Sequence, residues 1–107
     1  MTRALRYDGV LPTTMDARGH FRELSHEDVR AVREYVQAKR DATTPFDIVV
    51  EGMTPIGDPA ASADIIRAWA DAGATWWIES MWDGPGKTPE EKEANVRRRL
   101  LEGPPRI

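Results

Sequence analysis

Apolar positions along the chain form three short runs, separated by three stretches with helical spacing. The first run is Asp8-Gly9-Val10-Leu11, stopped by Pro12. The second is Phe46-Asp47-Ile48-Val49-Val50-Glu51, stopped by Gly52, and the third is Thr75-Trp76-Trp77-Ile78-Glu79. All are short and rich in β-branched or aromatic residues, and each predicts a strand. The second has consecutive apolar residues instead of alternation, the pattern of a strand covered on both faces.

The stretches between them carry helix punctuation. Ser25 stands three residues before Asp28, a variant of the capping box, and Val29, Val32 and Val36 follow at helical spacing beside Tyr35. Asp58-Pro59 reads as an N-cap followed by proline at the first helical position. Ile65, Ile66, Trp69 and Ala70 form the apolar face of that helix, and Gly73 is its stop. Thr88-Pro89-Glu90-Glu91 is a capping box with proline at the same place. Acidic residues open this last helix and Arg97, Arg98 and Arg99 close it, as the helix dipole favours, before Gly103-Pro104-Pro105 ends it.

The predicted order is therefore β-α-β-α-β-α. Each crossover has the dozen or more residues that a parallel connection needs, so the strands are expected to be parallel. Helices then cover one face of the sheet, or its outside if it curls into a barrel. The fold class is α/β, three parallel strands alternating with three helices, and residues 1–107 read as a single domain.

Composition narrows the function. Hydrophobic residues make up 40% of the chain and charged residues 31%, a globular balance instead of a disordered or membrane-spanning one. The net charge of −3 argues against non-specific nucleic-acid binding. The absence of cysteine excludes disulfides, thiolate catalysis and cysteine-ligated metals, and fits a cytoplasmic protein. No apolar run approaches the ~18 residues of a membrane span, and no apolar segment follows Arg3 and Arg6 as in a signal peptide. Neither a nucleic acid nor a membrane is expected as a partner.

In parallel α/β folds, function gathers on loops at the C-terminal ends of strands. Here these are Pro12 to Leu24, Gly52 to Asp58 and Ser80 to Lys87. Glu51 and Glu79 occupy equivalent strand ends. They read either as two carboxylates facing one site, anchoring a ligand or moving protons, or as strand-end residues satisfied by solvent or a neighbouring backbone N–H. A glycosidase-like acid pair is a weaker option, because its separation is not legible in sequence. Alternation puts Trp76 and Trp77 on opposite faces, so one of them is expected to pack under a helix, against Trp69. Trp82, beyond the strand, is the aromatic placed to meet a ligand.

Gly84-Pro85-Gly86-Lys87-Thr88 imitates a phosphate-binding loop, but Met81 stands where the first glycine belongs, and Pro85 and Pro89 lack N–H groups. Gly57-Asp58 is a similar decoy, since an aspartate N-cap repels an anion. His20 and His26 lack metal-ligand spacing. His26 reads as a solvated first-turn residue, and His20, in the first long loop with Asp16 and Arg18, reads either as a site residue or as an ordinary loop residue, the second being favoured.

Three stretches resemble the luciferase-like monooxygenase family. Arg3-Ala4-Leu5-Arg6-Tyr7-Asp8-Gly9-Val10 is similar to its "R-A-A-R-(aromatic)-D-G" segment, Phe46 to Gly52 to the next strand, and Ala70-Asp71-Ala72-Gly73-Ala74-Thr75-Trp76-Trp77-Ile78-Glu79 to the closing "A-x-A-G-A-T-W-W-I-E". Arg98-Arg99 to Gly103-Pro104-Pro105-Arg106 resembles the family's tail. The likeness runs along nearly the whole chain in the same order. It implies the closing segment of a TIM (β/α)8 barrel that binds FMN or the related deazaflavin coenzyme and oxidises a small organic substrate. Glu51, Glu79 and Trp82 would then lie toward the cofactor. Such a barrel takes about 250 residues, so these 107 would supply only its last strands. The glycine-rich phosphate segment and the earlier strands, with most substrate contacts, would lie elsewhere. Self-association, or docking onto a chain that supplies the rest of the barrel, is expected of a fragment with open sheet edges.

Overall fold

The computed structural model describes residues 2–41, 43–81 and 85–106. Three 14-residue helices, α1 (His26–Lys39), α2 (Pro59–Ala72) and α3 (Pro89–Glu102), alternate with strands β1 (Gly9–Val10), β4 (Asp47–Gly52) and β5 (Trp76–Glu79). The strands form one sheet in the order β1-β4-β5. Its parallel sense follows from the register Gly9↔Asp47 and Val10↔Ile48. It follows equally from the N–H bonds of Thr75 to Ile48 O (2.8 Å) and of Ser80 to Gly52 O (2.7 Å). The α/β class, the three helices and the parallel strands are those read from the apolar pattern.

Two elements were not legible in that pattern. A 3-10 turn covers Ala4–Arg6, and a two-stranded antiparallel ribbon, β2 (Thr14–Met15) and β3 (Phe21–Arg22), fills the loop expected between Pro12 and Leu24. Strands of two residues show no periodicity. The turn between them does have a signal: Asp16 accepts N–H bonds from Arg18 and His20 on its carboxylate, and Gly19 adopts φ +82°.

The chain divides into two compact units, and β4, α2 and β5 each contribute to both. The first unit comprises Met1–Val50 and Ala68–Trp77. Its core is Val29 of α1, Ile48 and Val50 of β4, and Ala72 of α2, with Leu24, Val32, Phe46, Trp69, Ala74 and Trp77 packed around them. Ile48, Val50 and Trp77 are therefore on the helix-covered side of their strands. The pleat turns Val49 and Trp76 the other way, and Trp76 is 60% exposed. Of the pair that alternation splits between two faces, Trp77 is the one that packs against the core, and Trp69 packs there too.

Close approach fixes two glycines in this unit. A Cβ on Gly9 would meet the Asp47 carbonyl oxygen at 2.7 Å, across the β1–β4 pairing. Gly73 ends α2 at φ +126°, and a Cβ there would strike the Arg33 side chain at 2.7 Å. The start of β5 is tied to β4 by Thr75, whose hydroxyl accepts from the Ile48 N–H (2.9 Å) and donates to Asp47 Oδ1 (2.9 Å).

The second unit comprises Glu51–Arg67 and Ile78–Ile107. Its most buried side chains are Ser62, Ala63, Thr54 and Arg99. The Ser62 hydroxyl donates to Pro55 O (3.0 Å), and Asp58 caps α2 by accepting from the Ala61 N–H (3.0 Å). α3 opens with a complete capping box between Thr88 and Glu91. Among the described residues no helix is long and apolar enough to cross a membrane.

Candidate functional site

The ends of β4 and β5 carry the two predicted carboxylates, both within the second unit. Glu51 follows buried Val50, so it projects from the side of β4 opposite the core, and it is exposed. Its Oε2 accepts a bond from the Ser80 hydroxyl at 3.2 Å. Glu79 lies two residues beyond Trp77, on the same side of β5, and is half-buried. The pleat thus sends Glu51 and Glu79 to opposite faces. That geometry is not the one of two carboxylates converging on one bond.

Glu79 instead belongs to a polar chain. Its Oε2 accepts the backbone N–H of Thr54 at 2.7 Å and its Oε1 accepts the Thr54 hydroxyl. This corresponds to the alternative in which a neighbouring backbone N–H satisfies a strand-end acid. Thr54 Oγ1 accepts in turn from Arg99 Nη1 at 3.4 Å, and the same nitrogen lies 3.5 Å from Pro55 O. Arg99 Nη2 donates to Gly103 O, and Glu102 lies 3.5 Å from the guanidinium. The five donors of a planar guanidinium suit this role, because one group can hold the β4–α2 loop and the chain beyond α3 together.

Sequence reasoning missed Arg99, which is 7% exposed. It grouped Arg97, Arg98 and Arg99 as the basic end of the helix, favoured by the helix dipole. The missed signal is the helical spacing of Lys92, Val96, Arg99 and Gly103, all at least half-buried, which puts Arg99 on the inner face. Leu100 and Leu101 fall outside that stripe and are 75% and 83% exposed.

The remaining candidates are placed as follows. Trp82 lies outside the described residues, as does Gly84 of the loop that imitates a phosphate site. In the described part of that loop, the N–H groups of Lys87 and Thr88 both go to Glu91 Oε2, at 2.7 and 3.3 Å. Donors that could meet a phosphate are thus already committed to a carboxylate. His26 is exposed, and its ring lies 4.2 Å from that of Trp69. His20 is exposed and sits 3.6 Å from Asp16 Oδ2 in the hairpin turn.

Chemically, the strand ends offer one exposed carboxylate, Glu51, on the side of β4 opposite Ile48 and Val50, and one anchored carboxylate, Glu79, that fixes Thr54. Comparison of the chain with family models, curated proteins and solved structures gives no match.

Proposed function

We propose that this chain is the closing portion of a luciferase-like (β/α)8 oxidoreductase, dependent on flavin or deazaflavin and acting on a small organic substrate. One observation carries the reading. Parallel strands have α1 and the end of α2 packed on a single side, while the other side of β5 turns an indole 60% exposed and Ile78 43% exposed toward solvent. In a barrel that side lines the closed interior, and strands there are apolar on both faces. The run Ile48-Val49-Val50 has that composition. The motifs quoted above support the same family.

The residues present fit part of such a cofactor. Glu51 lies at a strand end, on the side that would face the interior of such a barrel, where a carboxylate can accept bonds from a ring N–H. The helix starts fit its phosphate poorly: Asp58 caps α2, and Glu91 takes the N–H groups before α3. The phosphate would be held by further polypeptide, in this chain or another. Bound flavin or deazaflavin would supply the redox chemistry. Glu51 would orient the ring, Trp76 and Ile78 would exclude water from beneath it, and the Arg99–Thr54–Glu79 chain would keep the strand ends in register.

The test is a fluorescence titration of the purified chain with FMN and, separately, with the deazaflavin coenzyme. Saturable micromolar binding to either, weakened about ten-fold by Glu51→Gln, is the expected result. Absence of binding to both would favour a second reading, a non-enzymatic binding or oligomerisation module. The specific observation for that reading is the exposure of Leu100 and Leu101 on α3 and of Phe21 (78%) on the ribbon.

A further inference from the structure

A cleft of about 710 Å3 lies in the second unit, between the first turns of α2 and the chain leaving α3. Small-molecule sites commonly measure roughly 300–1,000 Å3. Apolar surface comes from Pro59, Ala60 and Ala63 on one side and from Pro104 and Pro105 on the other.

The charged residues of its wall divide into the satisfied and the free. Asp64 is paired with Arg67 at 3.1 Å. Glu102 is shared between Arg98 (3.3 Å) and Arg99 (3.5 Å), and it also accepts the Gly57 N–H at 3.1 Å. Arg99 is held by Thr54, Pro55 and Gly103. Arg106 also lines the cleft, and it makes no hydrogen bond or ion pair among the described residues. Among the described residues the cleft therefore has a surplus of positive charge and one guanidinium with its donors unspent. The start of α2 adds no competing anion site, because the Asp58 carboxylate already occupies it.

We propose that this cleft binds a small organic acid. Its carboxylate is taken by Arg106, and its apolar body lies against the prolines and alanines. A monoanion suits the site better than a phosphate ester. Asp64 and Glu102 also face the space, and each added negative charge on the ligand meets their repulsion. A planar carboxylate matches the fork of a guanidinium. The inference is independent of the flavin reading, and the failure of either leaves the other intact.

The test uses the isotopically labelled chain at low ionic strength, titrated with benzoate and separately with its neutral counterpart benzamide, and followed by amide NMR. Benzoate is expected to give saturable shifts at Ala60, Ala63, Asp64, Arg67 and Arg106, and benzamide to bind about five-fold more weakly. Arg106→Gln should reduce benzoate to the level of benzamide, Arg106→Lys should retain part of the preference, and Arg6→Gln, in the first unit, should change nothing. A wild-type spectrum outside the cleft certifies that each variant is folded. Equal binding of the two probes, shifts centred elsewhere, no binding of benzoate, or unchanged affinity in Arg106→Gln would each overturn the proposal.

Discussion

Arg99 and Leu100 are neighbours on α3 with opposite fates. The arginine is 7% exposed and the leucine 75%. Burying a guanidinium is costly unless its donors are used. Here they are, by Thr54, Pro55, Gly103 and Glu102. Arg99→Ala would strip the Pro55 and Gly103 carbonyls of a donor and leave a cavity. Its expected cost is about 3 kcal/mol, whereas Leu100→Ala should change stability by less than about 0.5 kcal/mol. Urea denaturation of dilute samples reads both. A larger loss from Leu100→Ala than from Arg99→Ala would contradict this account of the helix. Glu79 belongs to the same argument. Its hydrogen bonds show it as an anchor for Thr54, whereas Glu51 is exposed and accepts from the Ser80 hydroxyl.

At the scale of elements, the start of α1 is the most heavily tied. Asp28 accepts from both guanidinium nitrogens of Arg22 at 3.0 Å, from the Ser25 N–H at 2.8 Å and from the Ser25 hydroxyl at 2.9 Å. The Arg22 hydrogen bonds foremost, then those of Ser25, hold its carboxyl well below the usual carboxylate range. A pKa lowered by folding means that the ionised form stabilises the native chain. That contribution is complete above the ordinary aspartate value of about 4 and is lost as pH falls below it toward the folded value. The thermal midpoint should therefore decline on acidification from pH ~5 to pH ~2.5, and Asp28→Asn should flatten part of that decline. An identical slope in the variant would remove Asp28 from the explanation.

The same helix shows what sequence can convey about elements. Ser25 and Asp28 are local in the chain, so the capping box was legible, as were Thr88 with Glu91 and the stop at Gly73. Strand positions were legible because apolar runs bounded by Pro12 and Gly52 leave few alternatives. The ribbon was not, because Thr14–Met15 and Phe21–Arg22 are too short for alternation to register. Nor was the Arg99–Thr54 contact, which joins residues 45 positions apart. The carboxylates were identified correctly as strand-end residues, but their faces depended on which side of each strand the helices chose. Val50 and Trp77 decided that through packing.

At the largest scale, the topology is a three-stranded parallel sheet with an exposed apolar side on β5. α1 and the end of α2 pack against the side bearing Ile48, Val50 and Trp77, while β5 offers Trp76 and Ile78 to solvent. Burial of apolar surface stabilises by roughly 25 cal/mol per Å2, so an exposed indole beside an exposed isoleucine favours association. β5 is also an edge strand in the β1-β4-β5 order of the described residues, and edge strands favour pairing with further polypeptide. In the oxidoreductase reading the remaining barrel strands cover both. In the module reading another copy or a partner does.

The most direct measurement is therefore sedimentation velocity of the purified chain over a hundred-fold concentration range, beside Trp76→Glu. Reversible dimers or larger species are expected in the wild-type chain, shifted toward monomer by the glutamate, with the far-ultraviolet circular dichroism unchanged. A wild-type chain that is monomeric at every concentration, or association that Trp76→Glu leaves untouched, would contradict the claim that this face of β5 is built to be covered.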